Sequence, residues 1–243
     1  MKNMDKWQES KYSFINNTLK ASRDPNEVAV SSRLITDLVA SFYEKYIPQF
    51  CKGKLIDLGC GEAPLYCIYK KYTTEIICID WPKSFHKKDY VDVECSLTDH
   101  LPFRDNEFNT IILSDVLEHL PDVTVLWREM YRILQPEGKL LLNTPFYYPL
   151  HETPYDYCRY SEYALRNFAE NVGFSVILIE AIGGVPEILA DIIAKQICKR
   201  KIFCKWPAVF VQNLALRFSK RGFSKRTRRM FPFGYFVVAQ KAV

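Results

Sequence analysis

Hydrophobic positions recur along this chain in two periods. The first 30 residues are polar and predict weak structure. Leu34, Ile35, Leu38, Val39, Phe42, Tyr43 and Tyr46 then fall at helical spacing, with Ser31 and Ser32 as N-caps and Pro48 as the predicted stop. This helix is expected to cover a binding site or a sheet edge, making 1–50 a helical cap on a main domain spanning 51–243. From residue 54 short apolar runs alternate with helical patterns. Lys54–Leu58, Glu75–Ile79, Tyr90–Val93, Thr110–Leu113, Lys139–Leu142, Phe174–Ile179 and Tyr235–Ala239 read as seven strands. Helices are expected from the first strand through Tyr72, over Asp122–Leu134 and from Ser161 to about Asn171, where Gly173 ends the last. Strands alternating with helices of this length predict an α/β fold with a mostly parallel sheet and helices on both faces.

Hydrophobic residues make up 48% of the chain, enough for a large core. The eight cysteines form no Cys-x-x-Cys pair and several sit in apolar runs, so buried free thiols are expected rather than a disulfide framework or a metal centre. The N-terminus has no apolar run of the secretory kind, and no stretch approaches ~18 uninterrupted apolar residues; a cytoplasmic protein is the expectation. The net charge of +5 is unevenly spread. Ile192–Val243 holds 13 of the 33 lysines and arginines and no acid, so the remainder is acidic overall. Such an asymmetry calls for an anionic partner or surface.

Leu55-Ile56-Asp57-Leu58-Gly59-Cys60-Gly61 places two glycines at the end of the first strand and at the entrance of a helix, where backbone can turn tightly and approach a ligand. Asp80, with Trp81 beside it, follows the second strand 23 residues after Asp57, and an acid there can accept hydrogen bonds from two ribose hydroxyls. A nicotinamide enzyme has a similar corner. Here, however, Ala63 and Pro64 stand where its third glycine would fall, and Asp57 suits a cationic ligand better than a pyrophosphate.

Three further motifs follow: Leu101-Pro102-Phe103-Arg104-Asp105-Asn106-Glu107-Phe108, Val116-Leu117-Glu118-His119-Leu120, and Arg128-Glu129-x-x-Arg132-Ile133-Leu134-Gln135-Pro136-Glu137-Gly138. From about Lys54 to Glu180 the chain resembles the class I methyltransferases of the "type 11" kind. The resemblance implies a Rossmann-like fold with strand order 3-2-1-4-5-7-6 and S-adenosylmethionine as cofactor. It implies that Asp57, Gly59, Cys60 and Gly61 hold the cofactor's methionine part and Asp80 its ribose. Ser96 and Leu97 would flank adenine, and Ser114 and Asp115 would line the methionine end. Glu118 and His119 start a helix there, with a capping and packing role and a catalytic one both open, and His119 is expected to face the substrate.

The acceptor is expected against the aromatic loop after strand five, Asn143 to Tyr160. Its His151-Glu152-x-Pro154-Tyr155-Asp156-Tyr157-x-Arg159-Tyr160 pattern resembles a bacterial subgroup associated with cell-surface polysaccharide and glycolipid synthesis. His151 is the preferred general base. Asp156 would orient it or act as a second base, Arg159 would clamp an anionic group, and Tyr155 would stack on a sugar ring. The competing account pairs Asp156 with Arg159 to hold the loop and makes His151 a cap. His86 and His100 read as surface residues, and no metal is expected.

Between strands six and seven, residues 181–233 form an unusually long insertion. Pro186 opens a helix in which Ile188, Leu189, Ile192, Ile193 and Ile197 share a face, with Lys195, Lys199 and Arg200 beyond it. A second apolar stretch, Trp206 to Phe218, precedes Lys220-Arg221 and Lys225-Arg226-x-Arg228-Arg229. Residues 186–230 suit either an anionic membrane surface, placing the protein peripherally on its inner face, or a helical lid. Nucleic acid is disfavoured, since no RNA-binding module is present. The leading expectation is O-methylation of a saccharide or lipid-linked glycan. Alternatives are an RNA or quinone-like small-molecule methyltransferase, and a non-catalytic cofactor-binding regulator.

Overall fold

The computed structural model describes residues 1–86, 89–199 and 205–242; Arg200 and Cys204 lie outside them, as does the side chain of Lys220. The polar N-terminus is structured, contrary to expectation. Strands β1 (Tyr12–Ile15) and β2 (Thr18–Ala21) form a hairpin around Asn16-Asn17, both at positive φ. Tyr12 and Leu19 are fully buried. Helix α1 (Arg33–Phe50) fixes the hairpin edge: Leu19 N–H donates to Glu44 and Ala21 N–H to Asp37. Pro48 does not stop this helix. The Cys51 N–H closes the last turn on the Ile47 carbonyl, so the missing proline N–H removes only one bond near the end. Ser32 precedes the helix without a side-chain cap.

The large sheet is built from β3 (Gly53–Leu58), β4 (Thr73–Asp80), β5 (Val93–Glu94), β6 (Phe108–Ser114), β7 (Leu134–Pro145), β8 (Phe174–Ile182) and β9 (Gly234–Lys241). Their order is β5-β4-β3-β6-β7-β9-β8, with β9 antiparallel to both neighbours, the expected 3-2-1-4-5-7-6 arrangement. Four helices connect or follow the strands: α2 (Tyr66–Tyr69), α3 (Thr124–Ile133), α4 (Glu162–Asn171) and α5 (Val185–Lys199). Helix α2 is shorter than expected, because tight turns from Cys60 to Tyr66 use up its start. Ser161 caps α4 as expected, accepting from the Ala164 N–H.

Alternation along the strands divides the core. Leu55, Cys78, Ile112, Leu141, Phe236 and Val238 pack under α1 and α2. Ile56, Leu58, Ile111, Leu113, Leu140 and Leu142 face the other side, against Trp127 and Met130 of α3 and Leu165 of α4. Near-continuous apolar strands are what a sheet covered on both faces requires.

Helices α6 (Lys205–Lys220) and α7 (Phe223–Thr227) complete the insertion. Inside α5 the polarity is inverted relative to a simple apolar face. Ala190 and Ala194 are buried with Glu187 and Asp191, while Leu189, Ile192 and Ile193 point outward. Glu187 accepts from the Gly184 N–H and Asp191 pairs with Lys195, which allows them to be buried. The small residues let α6 approach, and Leu34, Ala190 and Ala215 form a small core there. Gln212 donates to the Val30 and Ser31 carbonyls, tying α6 to the start of α1.

Candidate active site

Strand order reverses at β3, and there a cavity of about 620 Å³ opens beyond the carboxyl ends of the strands. Its wall includes Asp57, Gly59, Cys60, Gly61, Asp80, Trp81, Ser96, Leu97, Ser114 and Asp115, the ten residues expected to bind cofactor; His119 and Tyr155 also line it.

Local geometry explains the glycines. Gly59 has φ +71°, and a Cβ there would stand 2.6 Å from Val116 Cγ2. Gly59 and Cys60 both donate N–H to the Ile79 carbonyl, closing the corner over β4. The Gly61 N–H donates to one Asp80 oxygen and the Trp81 N–H to the other, so this carboxylate is held in place with lone pairs to spare. Asp57 is buried and accepts from the Tyr69 hydroxyl at 2.9 Å. Burial, with Asp80 nearby adding to it and Tyr69 opposing, pushes its carboxyl up to about 7. A cationic ligand alongside draws such a group to its ionised form.

Asp115 sits at positive φ, held by the Asn143 side chain and by Lys11, whose Nζ is 2.7 Å from its Oδ2. Lys11 comes from the segment expected to be unstructured. With Glu27, Val28, Ser32 and Thr36 it roofs the cavity, so the N-terminal hairpin and α1 are the cover. Sequence reading missed Lys11, Glu27 and Val28 in this roof. The signal that was available is Asn16-Asn17 between β-prone residues. Among the described residues, none of α5, α6 or α7 lines this cavity or the smaller one beside it.

The smaller cavity, about 140 Å³, shares Lys11, Thr36, Asp115, His119, Tyr148 and Glu152 with the larger and adds Glu118 and His151. The two therefore form a chamber and an annex. His119 Nδ1 lies 2.7 Å from the Tyr155 carbonyl, which can only accept, so the lone pair of the neutral ring is on Nε2. His151 Nε2 is 3.8 Å from Glu118 Oε1, and burial, then His119, depresses its pKa and keeps the ring neutral. Burial, reinforced by Asp115, raises the Glu118 carboxyl well above the usual range.

Asp156 and Arg159 lie outside both cavities. Asp156 accepts from the two terminal guanidinium nitrogens of Arg159 and from the His151 backbone N–H. The Arg159 hydrogen bonds hold its carboxyl down at about 2, so it is an anion at neutral pH. Arg159 also donates to the Cys158 and Tyr148 carbonyls. The pair holds the loop. Asp156 Oδ2 remains 3.2 Å from His151 Nδ1, off the line of a hydrogen bond. His86 is not a bystander: it lines the chamber and pairs with Glu152 at 3.4 Å. His100 is exposed beside Glu129, as expected of a surface residue.

Residues 56–142 match the model of a methyltransferase domain. Over these residues the chain is similar to methyltransferases that use S-adenosylmethionine. The chamber fits that cofactor: it offers carboxylates for a ribose and a cationic methionine end, and bare backbone between them. The domain is 29% identical over 123 residues to uncharacterized protein MJ0638 of Methanocaldococcus jannaschii, covering 49% of this chain and 53% of that one. It is 25% identical over 159 residues to phosphoethanolamine N-methyltransferase 1 of Arabidopsis thaliana, covering 57% and 30%. The chain thus spans about half or less of the length of these curated relatives. Among solved structures, a putative sarcosine dimethylglycine methyltransferase from Galdieria sulphuraria superimposes with a TM-score of 0.57 over 92% of each chain at 16% identity, a likeness of fold.

Proposed function

We propose that this protein methylates a hydroxyl of a saccharide or lipid-linked glycan, with S-adenosylmethionine in the chamber and the acceptor entering the annex. The observation that carries the reading is the convergence of Glu118, His119 and His151 where the annex meets the chamber. When bound, the cofactor supplies a sulfonium methyl group, whose S–C electron pair returns to sulfur as the acceptor oxygen takes the carbon. Asp57, Gly59, Gly61 and Asp80 hold the donor. Without a bound cation, His151 is the base that takes the hydroxyl proton on Nε2. The Asp156–Arg159 pair positions His151 through its backbone N–H. Trp81 and Phe85 flank Tyr155, with ring centroids 5.1 and 5.9 Å from it, an aromatic wall on the chamber side of the site.

The test is transfer of a labelled methyl group from S-adenosylmethionine into fractionated cell material. Label is expected in base-stable ether linkage on envelope glycans. Label confined to RNA or to quinones would overturn the acceptor assignment.

A second feature supports work at an anionic membrane surface. Leu189, Ile192 and Ile193 on α5 and Trp206, Phe210 and Leu214 on α6 are exposed, Trp206 by 86%. Arg217, Arg221, Lys225, Arg226 and Arg229 are exposed on the same insertion, which carries no acid after Asp191. Large apolar side chains with clustered cations match the depth and charge of an anionic lipid interface. No helix among the described residues is long and apolar enough to cross a membrane. Sedimentation with vesicles of phosphatidylglycerol and phosphatidylcholine is expected to carry the protein down. Trp206→Ser with Phe210→Ser should weaken this about tenfold or more, since each side chain buries a few kcal/mol of apolar surface. Equal partitioning of the two proteins would remove the membrane from the account.

A further inference from the structure

We propose that Glu118, His119 and His151 bind a divalent first-row transition cation, which grips two neighbouring oxygens of the acceptor, such as the vicinal diol of a sugar ring. The inference rests on the annex being the acceptor site.

The three side chains come from two places. Glu118 and His119 lie on the short turn after β6, and His151 on the loop after β7. Glu118 Oε1 is 3.9 Å from His119 Nε2 and 3.8 Å from His151 Nε2, and one ligand atom from each lies within 4.8 Å of the others. Metal–ligand bonds of roughly 2.0–2.2 Å put ligand atoms a little closer than this, so small side-chain rotations close the site.

The atoms turned away from this point are supported by neighbours. His119 Nδ1 is bonded to the Tyr155 carbonyl, leaving Nε2 bare. Glu118 Oε2 accepts from Thr144 Oγ1 at 3.3 Å, leaving Oε1 free. Asp156 Oδ2 lies 3.2 Å from His151 Nδ1 without a hydrogen bond between them. The carbonyl behind His119 is the backing that orients metal-bound imidazoles. The independent observation is Glu118 Oε1 itself: its side chain is 0% exposed, it aims into the annex, and it has no hydrogen-bond partner. A buried carboxylate oxygen left this way is costly, and a cation removes the cost.

Ligand chemistry selects the ion. Two imidazoles with one carboxylate suit Zn²⁺, Mn²⁺, Fe²⁺ or Co²⁺, whereas Mg²⁺ and Ca²⁺ prefer all-oxygen sites. Three protein ligands leave positions open for acceptor oxygens. A hydroxyl bound there is acidified, so His151 serves as ligand and the cation takes over activation. The O–H proton passes to Glu152, which lines both cavities 3.9 Å from His119 Nε2, and then to water. The oxygen's electron pair forms the new C–O bond as the methyl–sulfur bond breaks onto sulfur.

The experiment is calorimetric titration of the full chain, stripped by chelator, with Zn²⁺ and with Mn²⁺ alone, alongside visible absorption after Co²⁺ addition. One ion per chain is expected, with Co²⁺ bands. Glu118→Gln, close to isosteric, and His119→Ala should each weaken binding at least ~10-fold with thermal melts intact; the exposed His100→Ala should leave it unchanged. No uptake by the parent protein, or equal uptake by all variants, overturns the site. Methyl transfer that persists in chelator overturns the cation's role in catalysis and leaves the proposed O-methylation standing. Metal binding in a protein that methylates no hydroxyl overturns the proposed function while the site itself stands.

Discussion

Gly59→Val is expected to lower the affinity for S-adenosylmethionine by at least ~100-fold in calorimetry. The backbone at Gly59 holds φ +71°, a conformation that costs an L-residue about 1–2 kcal/mol, and more when β-branched. The new Cβ would also meet Val116 Cγ2 at 2.6 Å, so the corner must open. Opening it moves the Gly59 and Cys60 N–H groups off the Ile79 carbonyl and disturbs the Gly61 N–H that positions Asp80. Two effects of this size amount to roughly two decades of binding. Asp57→Asn provides a gentler check, because it keeps the volume and the Tyr69 hydrogen bond while removing the charge. A loss of about tenfold or more is expected, in keeping with hydrogen bonds to charged groups. Undiminished affinity in both proteins would mean that the cofactor sits elsewhere.

His151→Ala is expected to cut turnover by about 10²–10⁴ while S-adenosylmethionine binding stays within a factor of about two. The split follows from position: His151 lines the annex and not the chamber. The base and the ion-ligand roles agree on this loss and part on chelation, which the base role survives. Turnover equal to that of the parent would remove His151 from the chemistry.

The lining of the chamber was legible along the chain because much of it comes from residues close in sequence to strand ends. Asp57, Gly59 and Gly61 close one βα corner, Asp80 ends the next strand, and Ser114 and Asp115 end β6. A parallel sheet brings such ends to one edge by topology alone. The annex was less legible. His151 was read as a base without its neighbours, because Glu118 and His119 lie more than 30 residues away and meet it only when β6 and β7 pair. The roof was not legible: Lys11 reaches Asp115 across 104 residues, through a hairpin whose strands are four residues each. Polar composition masked it, since only Tyr12, Leu19 and Ala21 are buried there.

Along α5 the same limit shows in reverse. Its apolar side chains read as a face for either a membrane surface or a lid; the face that packs uses alanines and paired acids, leaving Leu189, Ile192 and Ile193 outside. Hydrophobic periodicity determined where the strands of the large sheet and most helices run, and strand-end glycines and carboxylates marked the chamber proposed to hold the donor. Which groups meet across loops, and which apolar face stays uncovered, was decided by tertiary packing alone, because pairings between distant segments depend on three-dimensional fit and leave no fixed spacing in the chain.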